Sequence, residues 1–186
     1  MATNKVLIST GAVLIFADSS YSPGTNTTLG TLTDDIDVAG LTAGQAREGV
    51  KADLGASHAP SYSVDLTVEF ATDAAGTIDL YWSESHSSTP AVGNMGNVTG
   101  ADADWAGAVG ETLAESLLHM KFIGSFQCAV QNTADGVQIG HVGTFSPVQR
   151  YGVLVYHNNT ADALHSDSVE CAVRFTPIIP DIQEAA

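Results

Sequence analysis

Between Val137 and Ile178 the chain alternates. Three apolar runs, VQIGHVGTF, RYGVLVYHN and SVECAVRFTPI, are separated by turn-rich segments. A spacing of two puts successive side chains on opposite faces of an extended chain, so these runs suit strands with one buried and one wet face. In the last run Val169, Cys171, Val173 and Phe175 share one face, and Ser168, Glu170, Ala172 and Arg174 share the other. Tyr151, Val153 and Val155 form a second row, joined to the last strand by the turn-prone segment 157–162. The spacing therefore predicts that the chain closes as an antiparallel sheet with a committed core face.

The same period recurs upstream. Val64, Leu66, Val68 and Phe70 alternate with Asp65, Thr67 and Glu69, and Ile78, Leu80 and Trp82 continue the pattern after a turn at Ala74-Ala75-Gly76. Residues 62–83 thus read as a hairpin. Phe122 to Val130 reads as a strand with a bulge at Gly124. Val6-Leu7-Ile8 and Val13 to Phe16 suggest two short strands around a turn, and residues 46–54 suit either a helical turn or a strand. Leu113 to Leu118 suits a short helix. Two polar stretches interrupt the pattern. Residues 18–45 read as an extended arm or long loop, and residues 84–112 as an insertion whose single large apolar anchor, Trp105, pins it to the body. About seven to nine strands with little helix and long crossings imply an all-β antiparallel β-sandwich, jelly-roll-like in topology. The expected organisation is N-terminal strands and an extended arm over 1–45, followed by a sandwich domain over 46–186.

Charge bounds the partners. Six Lys and Arg against 21 Asp and Glu leave a formal charge of -15, which repels phosphate backbones and argues against nucleic acid as a partner. With 44% apolar residues the chain is too hydrophobic for a disordered acidic tail. Cys128 and Cys171 lie in apolar runs and read as small core residues, without zinc-ligand spacing. Met1 to Lys5 lacks the basic region and apolar core of a secretory signal, and no run approaches the roughly 20 apolar residues of a membrane helix. The expectation is a soluble cytoplasmic product with no membrane partner.

No residue pattern announces a chemistry. His58, His86, His119, His141, His157 and His165 are scattered without metal spacing, and His157 and His165 read as a solvated loop pair. His165-Ser166-Asp167 holds the residue types of a catalytic triad, but three consecutive residues of a strand cannot converge. Asp34, Asp35 and Asp37, and separately Asp102 and Asp104, bring carboxylates together on loops, yet neither group has the length, glycine or distal glutamate of a calcium loop. Both read as solvated charge. Asn26, Asn97 and Asn158 begin glycosylation-like triplets that read as polar turns. The expectation is a non-enzyme with no catalytic, cofactor-binding or metal-binding residues and no cofactor.

VDLTVEFATDAAGTIDLYWSES, GNMGNVTGADADW, FIGSF, IGHVGTFSPVQRYGVLVYHNNTADAL and the closing TPI follow in that order over roughly residues 46 to 180. That succession resembles small β-sandwich structural proteins of tailed-bacteriophage virions, of the capsid decoration or cement type. The resemblance implies a structural component on the outside of the virion head, stabilising capsomer contacts. Its implied partners are the major capsid protein and further copies of itself in a trimer or dimer, with the arm at 18–45 as a strap over a neighbour. A tail or fibre protein would share the architecture. The other reading is a carbohydrate-binding jelly roll, with Trp82, Trp105, Tyr81 or Tyr151 as stacking platforms.

Overall fold

Alternating burial builds the body of the protein, whose computed structural model describes residues 11–72, 75–130 and 136–179. The strands are β1 (Leu14–Ala17), β2 (Asp34–Asp35), β3 (Ala46–Asp53), β4 (Ser61–Phe70), β5 (Gly76–Ser85), β6 (Ala103–Trp105), β7 (Lys121–Cys128), β8 (Gly136–Phe145), β9 (Tyr151–Thr160) and β10 (Ala172–Ile178). One short helix, α1 (Leu113–Leu117), begins with a capping box in which Thr112 and Glu115 satisfy each other's backbone N–H. The expected strand at Val6-Leu7-Ile8 lies outside the described residues.

Two five-stranded sheets face each other, ordered β2-β1-β10-β4-β8 and β6-β3-β9-β5-β7. Neighbours are antiparallel except β1 and β2. With the short edge strands β2 and β6 set aside, the remaining strands run first–eighth–third–sixth in one sheet and second–seventh–fourth–fifth in the other. That is the double Greek key of a jelly roll, as the sequence led us to expect.

The connectivity corrects three local readings. β4 and β5 lie in opposite sheets, so residues 62–83 are a crossing between layers and not a hairpin. β9 likewise lies in the sheet opposite β8 and β10, so the three C-terminal runs do not form one sheet. Alternation reports which face of a strand is buried but not which sheet it joins; in this topology every link between successive long strands changes sheet, except the one from β5 to β7. The last strand also starts later than its periodicity suggests. Val169 and Glu170 form a turn, and β10 begins at Ala172, whose side chain is buried on the face expected to be wet.

Between the sheets lies an aromatic centre. Phe16, Tyr62, Trp82 and Phe175 are fully buried, and Trp82 packs against Phe145 and Phe175 with ring centroids 5.7 and 5.5 Å away. Val64, Leu66, Val68, Phe70, Ile78, Leu80, Leu154 and Val173 complete it, each worth about 1.5–3 kcal/mol of burial for the larger side chains. β9 is buried on both faces. Leu154 and Tyr156 face the centre, whereas Val153 and Val155, read from the sequence as the core row, belong to a second cluster on the outside of their sheet. Trp105 is the anchor of that cluster, as expected, packing with Ala46, Val98, Leu117 and Met120.

The segment at 18–45 is folded back on its own sandwich. Leu29 joins Ile15, Ala17 and Ala172 in a cluster over the outside of the first sheet, and Ile36, Val38 and Leu41 enter the main core. Its apolar residues are few, but they are spaced to cap one flank of the body. Of residues 46–54, Ala46–Asp53 are strand, and the bulge anticipated at Gly124 falls beside it, where the β5–β7 register slips between Leu80 and Tyr81. On the opposite flank β7 and β8 run side by side so closely that a Cβ at Gly124 would lie 2.5 Å from the Val142 carbonyl oxygen.

Candidate functional site

β4 ends in an inward pair, Val68 and Phe70, that leaves Glu69 between them on the outer face, yet Glu69 is only 6% exposed. Burial comes from the chain after β9, which folds over this end of the sheet. His165 N–H donates to the Glu69 carbonyl at 3.0 Å, and the His165 carbonyl accepts from Gly40 N–H at 2.8 Å. Its backbone is thus clamped between β4 and the 36–44 segment. His165 Nδ1 lies 2.7 Å from Asp167 Oδ1 and 3.9 Å from Glu69 Oε2. One potential ligand atom from each of the three residues falls within 4.8 Å of the others.

The hydrogen bond from His165 holds the Asp167 carboxyl below the usual carboxylate range. Ser168 follows with φ of 49° and is fully buried, and its Oγ donates to Asp37 Oδ1 at 3.1 Å. The site therefore joins β4, the 161–171 loop and the N-terminal segment. An imidazole facing two carboxylates can share a proton or ligate a cation.

This arrangement corrects the reading of His165-Ser166-Asp167. The three residues are not strand but a bend, and that is why His165 and Asp167 converge although they are two apart. Ser166 is exposed and the third member is Glu69, ninety-six residues upstream, which no local motif could reveal. His157 and His165 are not a loop pair either. His157 belongs to β9 and faces Asp79 at 3.7 Å. Burial alone would raise the Asp79 carboxyl, but His157, Ser125 and Thr77 outweigh it and hold the group below its ordinary value.

The two aspartate clusters, separate in sequence, meet across the β2–β6 flank. Asp102 Oδ1 accepts from Asp37 N–H at 3.0 Å and from Arg47 Nε at 2.8 Å, and Arg47 Nη1 reaches Asp104 at 2.9 Å. Arg47 on β3 is thus the organiser of Asp37, Asp102 and Asp104. Asp35 bears the cost of the crowding: burial first, then Asp102, Asp18 and Asp37, push its carboxyl above the usual range. Two further β3 side chains tether the 86–112 excursion. Lys51 Nζ donates to Ser85 Oγ and to the carbonyls of Ser87, Thr89 and Val92 at 2.6–3.1 Å. Glu48, 1% exposed, accepts from Thr99 N–H at 2.6 Å and Gly100 N–H at 3.2 Å. No spacing rule links these partners, which are 34 to 52 residues apart in the chain.

Asn158 is likewise not part of a polar turn. It is fully buried in β9, where Nδ2 donates to the carbonyls of Leu41 and Asp162 at 2.8 and 2.9 Å. Cys128 and Cys171 are buried free thiols, as expected, and burial pushes them up to about 11 and about 12. Of the aromatic residues considered as sugar platforms, Trp82 is fully buried and Trp105 is 5% exposed. Tyr81 leans on Phe122, and Tyr151 lies under the Arg150 guanidinium at 4.9 Å. A hollow of about 240 Å³ lined by Gly40, Thr42, Gln45, Arg47 and Asp104 is smaller than the roughly 300–1,000 Å³ usual for small-molecule sites. No helix among the described residues is long and apolar enough to cross a membrane. Comparison with family models, with curated proteins and with solved structures found no match.

Proposed function

We propose that the chain is a structural component of a bacteriophage virion, a decoration protein seated on the outer surface of the head. There it would bridge capsomers, with the major capsid protein and further copies of itself as partners. The observation that carries this reading is the charge of the exterior. The formal charge is -15, and the few cations are largely engaged within the fold: Arg47 by Asp102 and Asp104, Lys51 by loop carbonyls, Lys121 by Glu84 and Arg150 by Asp53. Such a surface is repelled by packaged DNA and keeps particles apart when it faces solvent. The architecture is compatible, since jelly rolls serve as viral capsid domains and as lectins, although a fold by itself does not decide between them. Against the lectin reading, the two tryptophans a sugar would stack on are inside.

The long excursions support a mechanical rather than a ligand-enclosing role. Residues 18–32 and 86–120 plate the outer faces of the two sheets, and Ile36, Val38 and Leu41 enter the core between them. The test is reconstitution. The purified chain is added to DNA-filled heads lacking it, and the bound copies are counted. Saturable binding at a copy number set by capsid symmetry supports the reading, and the absence of binding to heads of its own phage rejects it.

A further inference from the structure

We propose that Glu69, His165 and Asp167 form a binding site for a divalent transition-metal ion, with zinc the best match. The donor set is one imidazole nitrogen and two carboxylate oxygens. That mixture suits borderline ions such as Zn²⁺, whereas calcium favours six to eight oxygens.

The distances fit. Tetrahedral zinc with bonds of about 2.0–2.2 Å sets its ligands about 3.3–3.6 Å apart. His165 Nδ1 stands 2.7 Å from Asp167 Oδ1 and 3.9 Å from Glu69 Oε2, on either side of that value. Changes of about 0.5–0.8 Å in these two separations reach the bound geometry, and the Glu69 and Asp167 oxygens, within 4.8 Å of each other, close on the ion with water as the remaining ligand. The ligands are also pre-positioned. His165 is hydrogen-bonded through its backbone to Glu69 on one side and Gly40 on the other, and Ser168 ties the residue after Asp167 to Asp37. Glu69 is rooted in β4, and because its carboxylate is buried, water screens its attraction to a cation less than it would at the surface. The ion would clasp the 161–171 loop to the end of β4. The fold stands without it, because the hydrogen bond between His165 and Asp167 holds the same residues together.

The experiment titrates Zn²⁺, and in parallel Ca²⁺, into the metal-stripped full chain by calorimetry, and repeats the thermal melt with Zn²⁺. Co²⁺ absorption reports the ligand geometry. The expected result is one Zn²⁺ per chain, a higher midpoint with Zn²⁺ than without, little response to Ca²⁺, and the visible bands of four-coordinate Co²⁺. His165→Ala should weaken binding about tenfold or more and abolish the thermal gain. Asp167→Asn alters an exposed side chain and tests the site should Glu69→Gln disturb folding. His141→Ala, on β8, should bind as the parent does. Absence of Zn²⁺ binding overturns the proposal. So does binding that survives both His165→Ala and Asp167→Asn, or that is lost in His141→Ala.

Discussion

Gly152, near the start of β9, tests the aromatic centre directly. Its φ lies outside the left-handed region, so an alanine fits the backbone there and, judged by chain entropy alone, would stabilise by about 0.4–1 kcal/mol. The obstacle is steric. A Cβ at Gly152 would lie 2.2 Å from Cε2, 2.3 Å from Cζ2 and 2.6 Å from Nε1 of Trp82. Restoring ordinary carbon contacts of about 3.5 Å requires the indole to move by more than about 1 Å. It has no free direction, since Phe16, Phe145 and Phe175 surround it at 6.2, 5.7 and 5.5 Å between centroids. Overpacking of this kind costs about 1–3 kcal/mol, and the rigid surroundings place Gly152→Ala in the upper half. For a chain of this size that is a fall in midpoint of about 4–12 °C. The assay is thermal unfolding followed by near-ultraviolet dichroism. In a Trp82→Leu background the same substitution meets space, and its cost should vanish. A Gly152→Ala protein that melts higher than the parent, or a cost that is unchanged in the Trp82→Leu background, would refute the packing argument.

Other expectations follow from single groups. Val173→Asp places an unpaired charge in the core beside Phe175 and Cys171 and should cost several kcal/mol, whereas Arg174→Asp, on the outer face, should be far milder; equal midpoints would reject the register of β10. Asp35→Asn should raise the midpoint at neutral pH, because burial and neighbouring carboxylates hold the folded pKa above 3.8 and so penalise the charged form. The penalty is complete above the folded pKa and disappears as pH falls to the unfolded value, so the benefit should shrink in acid; a benefit that grows in acid contradicts it. Lys51→Met removes the ammonium that holds three loop carbonyls and should cost about 1–3 kcal/mol, with amide exchange quickening over residues 86–94. Calcium added to the metal-stripped chain should leave the midpoint unchanged, since Arg47 rather than calcium organises Asp37, Asp102 and Asp104; a clear rise with calcium would overturn that.

The sequence was most legible where one face of a strand meets the core. Val64, Leu66, Val68 and Phe70, then Ile78, Leu80 and Trp82, and Cys171, Val173 and Phe175 show their core-facing side through period two, although Thr67, Glu69, Asp79 and Ala172 between them are covered as well. It was misleading where both faces are covered: Val153 and Val155 look like a core row, but they pack under the Trp105 excursion while Leu154 and Tyr156 face the centre. Sheet membership was hidden as well, because crossing links and hairpins use the same turn residues. The polar segment at 18–45 reads as an arm because Leu29, Ile36, Val38 and Leu41 are isolated among small residues, and only their places on the folded surface reveal a flank of the core. The proposed metal-ligand set was out of reach for a related reason. Glu69 ends one strand while His165 and Asp167 bend over it, and this proximity arises from the topology and leaves no spacing signature.

On a virion, the anionic surface proposed for this chain should face outward. Antibodies against the chain, applied to intact DNA-filled particles, test that placement most directly. Dense labelling of the heads before any shell is opened, at positions repeating with the capsid lattice, is the expected result. Labelling that requires broken shells, or particles that carry none of the protein, would contradict it.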